Sequence, residues 1–209
     1  MEQIKEYEYV DLDLPSGLKW AKCNVGAETE TDYGYYFQWG DIEDKTNSDC
    51  RWESYKHCNG SHNKLTKYCV DNEYGSFGTV DNKTTLDLKD DAAAHVMGGD
   101  WRMPTKGDFQ ELLDNTDSEW IEDFNGSGVN GREFTGSNGN SIFIPASGSR
   151  LGSSFYGQGI GGYVWSSSLD AEDNGCAWDL HFDSDNISGI YYNFYRNRYR
   201  GYAVRGVMD

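Results

Sequence analysis

Few residues in this 209-residue chain have both the type and the spacing for chemistry, and most of those are acids near the carboxyl end. Asp170, Asp173, Asp179 and Asp183 recur at short intervals around Asn174 and His181. Oxygen donors of this kind suit a hard cation such as calcium where they converge. "DSDNISG", however, is shorter than an EF-hand loop and has no distal glutamate. Two carboxylates facing each other across a cleft would suit acid–base work on a glycoside, but the spacing sets no two of them across one. The plain expectation is a solvated acidic face, exposed with His181, that offers contacts to a ligand. His57, Cys58 and His62 are the nearest approach to a transition-metal set. Zinc sites favour paired Cys-x2-4-Cys spacing; none exists here, so a mobile polar loop is expected and no metal is assigned. "GQGIGGY" precedes a strand instead of opening a helix, which is the wrong order for a dinucleotide fingerprint. "WSSS" has no neighbouring His motif that would make a nucleophile of serine. No catalytic residue is expected.

A different chemistry sits in "YYNFYRNRYRGYAVRGV", residues 191–207, which holds tyrosine, arginine and asparagine and not one acid. Tyrosine offers a large contact surface with a polar tip at small entropic cost, and asparagine and arginine add adaptable and forked hydrogen bonding. Buried Tyr and Arg also dominate interface hot spots. Tyr191, Tyr192, Tyr195 and Tyr199, interleaved with Asn193, Arg196 and Asn197, suit a ligand-binding surface. The competing reading is a tyrosine-rich strand packed on its neighbours, with Phe194 turned inward.

The elements that must carry these residues are mostly short strands. "YEYVDLDLPSGLKWAKCNVG" reads as two strands around a Pro-Ser-Gly turn, with Trp20 as a core anchor. "TETDYGYYFQWGD" has room for a helical turn or two. Residues 43–83 are polar and turn-rich, an insertion or long loop. "DLKDDAAAHVMGG" has acids leading and glycines ending a helix. "PTKGDFQELLDN" has Thr105 as a cap, Asp108 three residues on, and Phe109, Leu112 and Leu113 on one face. "GREFTGSNGNSIFIPA" is a hairpin around Asn-Gly, and "GYVWSSS" and "GYAVRGV" are strands. "CAWDLHFD" alternates, which predicts Trp178, Leu180 and Phe182 in the core and Asp179, His181 and Asp183 toward solvent. The class is α+β, strand-heavy, with two modest helices.

The totals narrow the partners. A net charge of −17 argues against nucleic acid, whose phosphates need clustered Lys and Arg. No stretch approaches the roughly 20 apolar residues of a membrane helix, and "MEQIKEYEYVDLDLPSG" has no apolar leader core. Five irregularly spaced cysteines predict free thiols.

Seven phrases in order, "DLPSGLKWAKCNVGA", "DYGYYFQWGD", "GGDWRMPT", "IFIPASGSR", "YVWSSS", "AWDLHF" and "RYRGYAVRGV", resemble the C-type-lectin-fold domains abundant in gut Bacteroidales, related in fold to formylglycine-generating enzymes. They run from about residue 9 to 207, nearly the whole chain. The group's usual Val-Arg-Pro-Val ending has Gly206 in the proline position here, which is expected to loosen the end of the last strand. The resemblance implies one C-type lectin-like domain over 1–209 and extends to the variable proteins of diversity-generating retroelements. In those, a fixed scaffold displays side chains rewritten at adenines, which would place a variable ligand-binding region around 168–202. Asn codons AAC and AAT mutated at adenine never yield Lys, Glu, Gln, Trp or Met, and residues 179–207 contain none of these. Arg198, Gly201, Val204 and Arg205 match scaffold positions of the group. The implied function is non-enzymatic binding of a protein ligand, with glycan as the other partner class, on a cell surface or phage particle. A fixed carbohydrate-binding module is the alternative. An oxidase of the formylglycine-generating type is a weaker one, because its copper-holding C-terminal cysteine pair is missing and Cys176 stands alone in that half.

Overall fold

The computed structural model describes residues 6–189 and 196–209, with the backbone alone for residues 187–189. The chain opens with β1 (Tyr9–Asp11) and β2 (Lys19–Asn24). After a long irregular stretch come α1 (Ala92–Met97) and α2 (Lys106–Asn115). Next follow β3 (Thr116–Ile121), β4 (Gly131–Gly136), β5 (Ser141–Pro145), β6 (Ser149–Leu151) and β7 (Ser154–Tyr156). The chain then runs through β8 (Gly161–Leu169), β9 (Ala177–Asp183), β10 (Ile187–Gly189) and β11 (Arg205–Met208). The fold is mixed α+β and strand-rich, with two α-helices among the described residues, as the sequence predicts.

Both helices follow their sequence signals. Asp91 caps α1 by accepting from the Ala94 amide at 2.9 Å, and Gly98 stops it at φ +69°. Thr105 and Asp108 form a reciprocal capping box on α2: Asp108 N donates to Thr105 Oγ1 at 3.1 Å, and Thr105 N donates to Asp108 Oδ2 at 2.7 Å. Phe109 and Leu112 are buried, whereas Leu113 is only partly covered. The β4–β5 hairpin turns at Gly139, whose φ of +82° is open to glycine. "TETDYGYYFQWGD" gives no helix. Phe37 is held extended instead, bridged to Tyr202 by hydrogen bonds in both directions.

The four small sheets run β1-β2-β11, β10-β9-β8, β3-β4-β5 and β6-β7. Two apolar clusters fill the space between them. One gathers Trp20, Phe109, Leu112, Phe134, Ile142, Ile144, Leu180, Phe182 and Val207; the other centres on Trp39, Trp165, Tyr68, Tyr202 and the alanines of α1. The last strand returns to the first hairpin, with Val207 opposite Trp20. Gly206 sits where the register of this pair shifts, between Arg205 and Val207. A Cβ there would lie 2.7 Å from Met97 Sδ and 3.1 Å from the Trp101 ring, so the bare backbone packs tightly where a side chain has no room.

Residues 43–83 are irregular, as expected, but they are not a loose polar loop. Tyr55, Leu65 and Cys69 form a third, smaller core, with Trp52, Cys58, Tyr74 and Tyr199 against it. His57 is buried, edge-on to Tyr55 and Tyr68, with Nε2 2.8 Å from the Gly40 carbonyl. The polar-loop expectation is corrected in its packing: these aromatic residues close over one another and enclose His57. All five cysteines are free thiols.

Two arginines of the closing segment are sunk completely in this frame. Arg198 donates to Tyr55 Oη at 2.9 Å and to the carbonyls of Tyr68, Asn174 and Lys67 at 2.9, 3.0 and 2.9 Å. Arg205 donates to Asn24 Oδ1 at 3.0 Å and to the carbonyls of Ala21, Lys22 and Phe143. Removing such a donor strands several buried acceptors at about 1–3 kcal/mol each. Arg205→Ala should therefore lower unfolding free energy by about 3 kcal/mol or more in urea titrations, and Leu180→Ala by about 2–5 kcal/mol. A loss near zero for Arg205→Ala would mean that its four acceptors find water.

Candidate binding surface

The sequence-predicted site residues do not form one exposed face. Tyr191, Tyr192, Asn193 and Tyr195 lie outside the described residues. Of the others, Asp170, Asn174, Asp179 and Arg196 are buried, which corrects the expectation of exposure for each. For Asp179, which pairs with Trp165 across β8 and β9, the neighbours on its own face of the sheet come from the closing segment. Residues 201–203 run alongside β8, where Trp165 N donates to the Ala203 carbonyl and Val164 is bridged to Ala203. This pairing sets the Tyr202 ring on Trp165 at 4.1 Å and against Tyr163 at 5.0 Å.

Each buried polar residue has a structural partner. Arg196 Nη2 pairs with Asp170 Oδ2 at 3.2 Å. Its guanidinium lies 4.3 Å from the Trp178 ring, and Lys106 Nζ sits 3.4 Å from the same ring. Trp178 is thus not core, contrary to the alternation reading, but half-buried in contact with two cations. Asn174 Oδ1 accepts from the amides of Val70 and Asp71 at 2.7 and 3.0 Å, tying residues 43–83 to the β8–β9 connection. Asp179 is the exception. It is 4% exposed, its Oδ2 has no hydrogen-bond partner, and burial pushes its carboxyl up to about 7 against the pull of Arg196.

At the far end of β9, His181 is half-buried and stacks on Tyr163 at 4.3 Å, and burial lowers its pKa. Asp183 turns back to accept from the amides of Asp185 and Asn186, so it caps a turn. Among the described residues no group of three or more His, Cys, Asp or Glu is placed to hold a metal ion. The "WSSS" hydroxyls serve the fold: Ser166 Oγ donates to the Trp178 carbonyl at 2.7 Å, and Ser166 and Ser167 are buried. Cys176 is pushed up to about 12 by burial and by Asp173, far from thiolate reactivity at neutral pH.

What does reach the surface is the Asn197–Tyr199 edge and its neighbours. Asn197 is half-buried and bridged to Cys176, beside exposed Asp173. Tyr199 packs on Trp52 at 5.0 Å, and Trp52 in turn meets His62 at 6.2 Å. Arg51, Trp52, Tyr156 and Tyr199 line a groove of about 460 Å³ between the irregular 43–83 region and the β6–β7 hairpin. A somewhat larger hollow of about 550 Å³ lies by β1 and β2, walled by Glu8, Lys22, Glu28 and Glu30, and brings none of the predicted site residues together. Trp52 and Tyr156 escape sequence reasoning because they stand in turn-rich stretches with no period; a tryptophan in an otherwise polar run was the available signal.

No family model, curated protein or solved structure compared with the chain matches it. No helix among the described residues is long and apolar enough to cross a membrane.

Asp179 makes a pH prediction. Its folded pKa, about 7, lies above its ordinary 3.8. Its contribution to stability is therefore fully present below the unfolded value and is lost as pH rises through the folded one. His57, held down to about 4 from 6.5 by burial, has the opposite sign: its contribution is present above 6.5 and is lost as pH falls toward 4. Asp179→Asn should gain stability relative to the wild type between about pH 5 and about pH 8, read as a change in the gap between melting temperatures. A gap independent of pH would show that Asp179 titrates normally.

Proposed function

We propose that this chain is a non-enzymatic ligand-binding domain of C-type lectin-like type, whose region around 168–202 displays the contacting side chains. The observation that carries this reading is the division of labour at Arg198 and Tyr199. Arg198 spends its whole guanidinium on interior acceptors, while the next residue turns its ring to a surface groove. Neighbouring residues of one segment thus anchor a frame and face a ligand, and the frame rests on Arg198, Tyr202, Ala203, Val204 and Arg205, all fully buried, and not on the ring of Tyr199. The composition of residues 190–199, rich in Tyr, Asn and Arg, supports a protein ligand. The resemblance to variable proteins of diversity-generating retroelements supports display on a cell surface or phage particle.

The burial of Asp170, Asn174, Asp179 and Arg196 narrows the contacting set. Tyr191, Tyr192, Asn193, Tyr195, Asn197 and Tyr199 carry the reading, with Asp173 at its edge.

Replacing Tyr191, Tyr192 and Tyr195 together with alanine should abolish capture of a surface partner by the wild-type chain. The melting temperature should stay within about 2 °C, as for substitutions outside a core. A triple variant that fails to fold would assign those rings to the interior. Sequencing around the gene tests the diversification separately: a reverse transcriptase and an adenine-rich template repeat are expected, and their absence, with no variation among close strains at these positions, would count against it.

A further inference from the structure

We propose that the groove between Arg51–Glu53 and the β6–β7 hairpin is a carbohydrate site that takes a pyranose ring without calcium. Three rings from distant parts of the chain meet there. Tyr199 and Trp52 lie 5.0 Å apart and are inclined at 57°, and Tyr156, 53% exposed, lines the same groove. Between them are hydrogen-bonding groups that the fold does not use. Arg51 spends only Nε, on Asp49 at 3.1 Å, and its terminal nitrogens have no hydrogen-bond partner among the described residues. Glu53 and Ser153 are exposed, and their side chains make no hydrogen bond there either.

A pyranose presents the matching pattern: an apolar C–H face and a rim of hydroxyls. Aromatic side chains bury the face while their polar tips stay wet. A guanidinium and a carboxylate bind hydroxyls through charge-assisted hydrogen bonds. The volume of about 460 Å³ falls in the range of small-ligand sites, about 300–1,000 Å³.

Other ligand classes fit less well. Glu53 and Asp49 flank Arg51, so a phosphate backbone meets as much repulsion as attraction. Proline-rich peptides also use aromatic grooves, but they need no charged groups along the groove, whereas the inclined Trp52–Tyr199 pair here has Arg51 and Glu53 beside it. Tyr199 apart, these residues lie outside 168–202, so the site shares only that ring with the proposed variable region and keeps Arg51, Trp52, Glu53, Ser153 and Tyr156 where the region is diversified.

The test is an array of neutral and acidic glycans probed in EDTA, followed by calorimetric titration of the strongest binder. Wild-type protein should bind, and Tyr156→Ala and Arg51→Ala, both exposed side chains, should each weaken binding tenfold or more with unchanged near-ultraviolet circular dichroism. Replacing Tyr191, Tyr192 and Tyr195 with alanine should leave glycan binding intact, which separates this site from the C-terminal surface. The proposal is overturned if no glycan binds, if binding needs calcium, or if the tyrosine triple variant loses it while Tyr156→Ala keeps it. It is also overturned if decaproline binds in the groove and no glycan does.

Discussion

Two desolvated guanidinium groups set the terms for the rest of this structure. An arginine taken out of water is expensive unless its donors are matched by acceptors. Arg198 and Arg205 are matched almost entirely by backbone carbonyls instead of carboxylates. Carbonyl acceptors are fixed by the path of the chain, so each arginine requires several distant segments to be in place at once. Arg198 joins residues 55, 67, 68 and 174, and Arg205 joins the first hairpin to β5. The irregular 43–83 region is held in the same way, through Asn174 and a polar network in which Lys67 meets Tyr68, Asp87 and Asp90.

This arrangement explains why so irregular a chain is ordered at all. Its sheets are small, and regular ladders satisfy only part of the backbone. Side chains take over much of that work. Trp39 and Trp165 donate their indole N–H groups to the Ser166 and Phe37 carbonyls at 2.8 and 2.9 Å, and Tyr36 and Tyr55 donate to the Ser147 and Trp39 carbonyls. A core built on aromatics with polar tips thus pairs backbone groups that strands would otherwise pair.

The local part of this design was legible in the sequence. The Thr105–Asp108 capping box, the glycine stop of α1 and the Asn-Gly hairpin all rest on contacts between near neighbours, and Trp20 declares itself a core anchor by its size and type alone. What was not legible depends on coverage from far along the chain. Period-two alternation separated the faces of β9 but could not tell that residues 201–203 pair beside β8 and bring Tyr202 onto Trp165, the partner of Asp179, which is buried and not exposed. Arg196 and Asn174 were misplaced for the same reason: polar type suggests solvent, and only tertiary partners reverse it. Trp178 erred the other way, an aromatic expected inside that is only half-buried, beside two cations. At the groove, Tyr199 was expected from composition, while Trp52 and Tyr156 come to it only through the fold.

The pairing of β11 with β2 carries a kinetic cost. Arg205 bonds to residues more than 180 positions earlier, and Val207 lies against Trp20, so the first hairpin cannot bury its inner face until nearly all the chain exists. Closing so long a loop is slow relative to local structure. During synthesis at about 5–20 residues per second, the amino-terminal strands wait on the ribosome with apolar surface uncovered. Until β11 arrives, that hairpin is the part of the nascent chain with most to lose to aggregation.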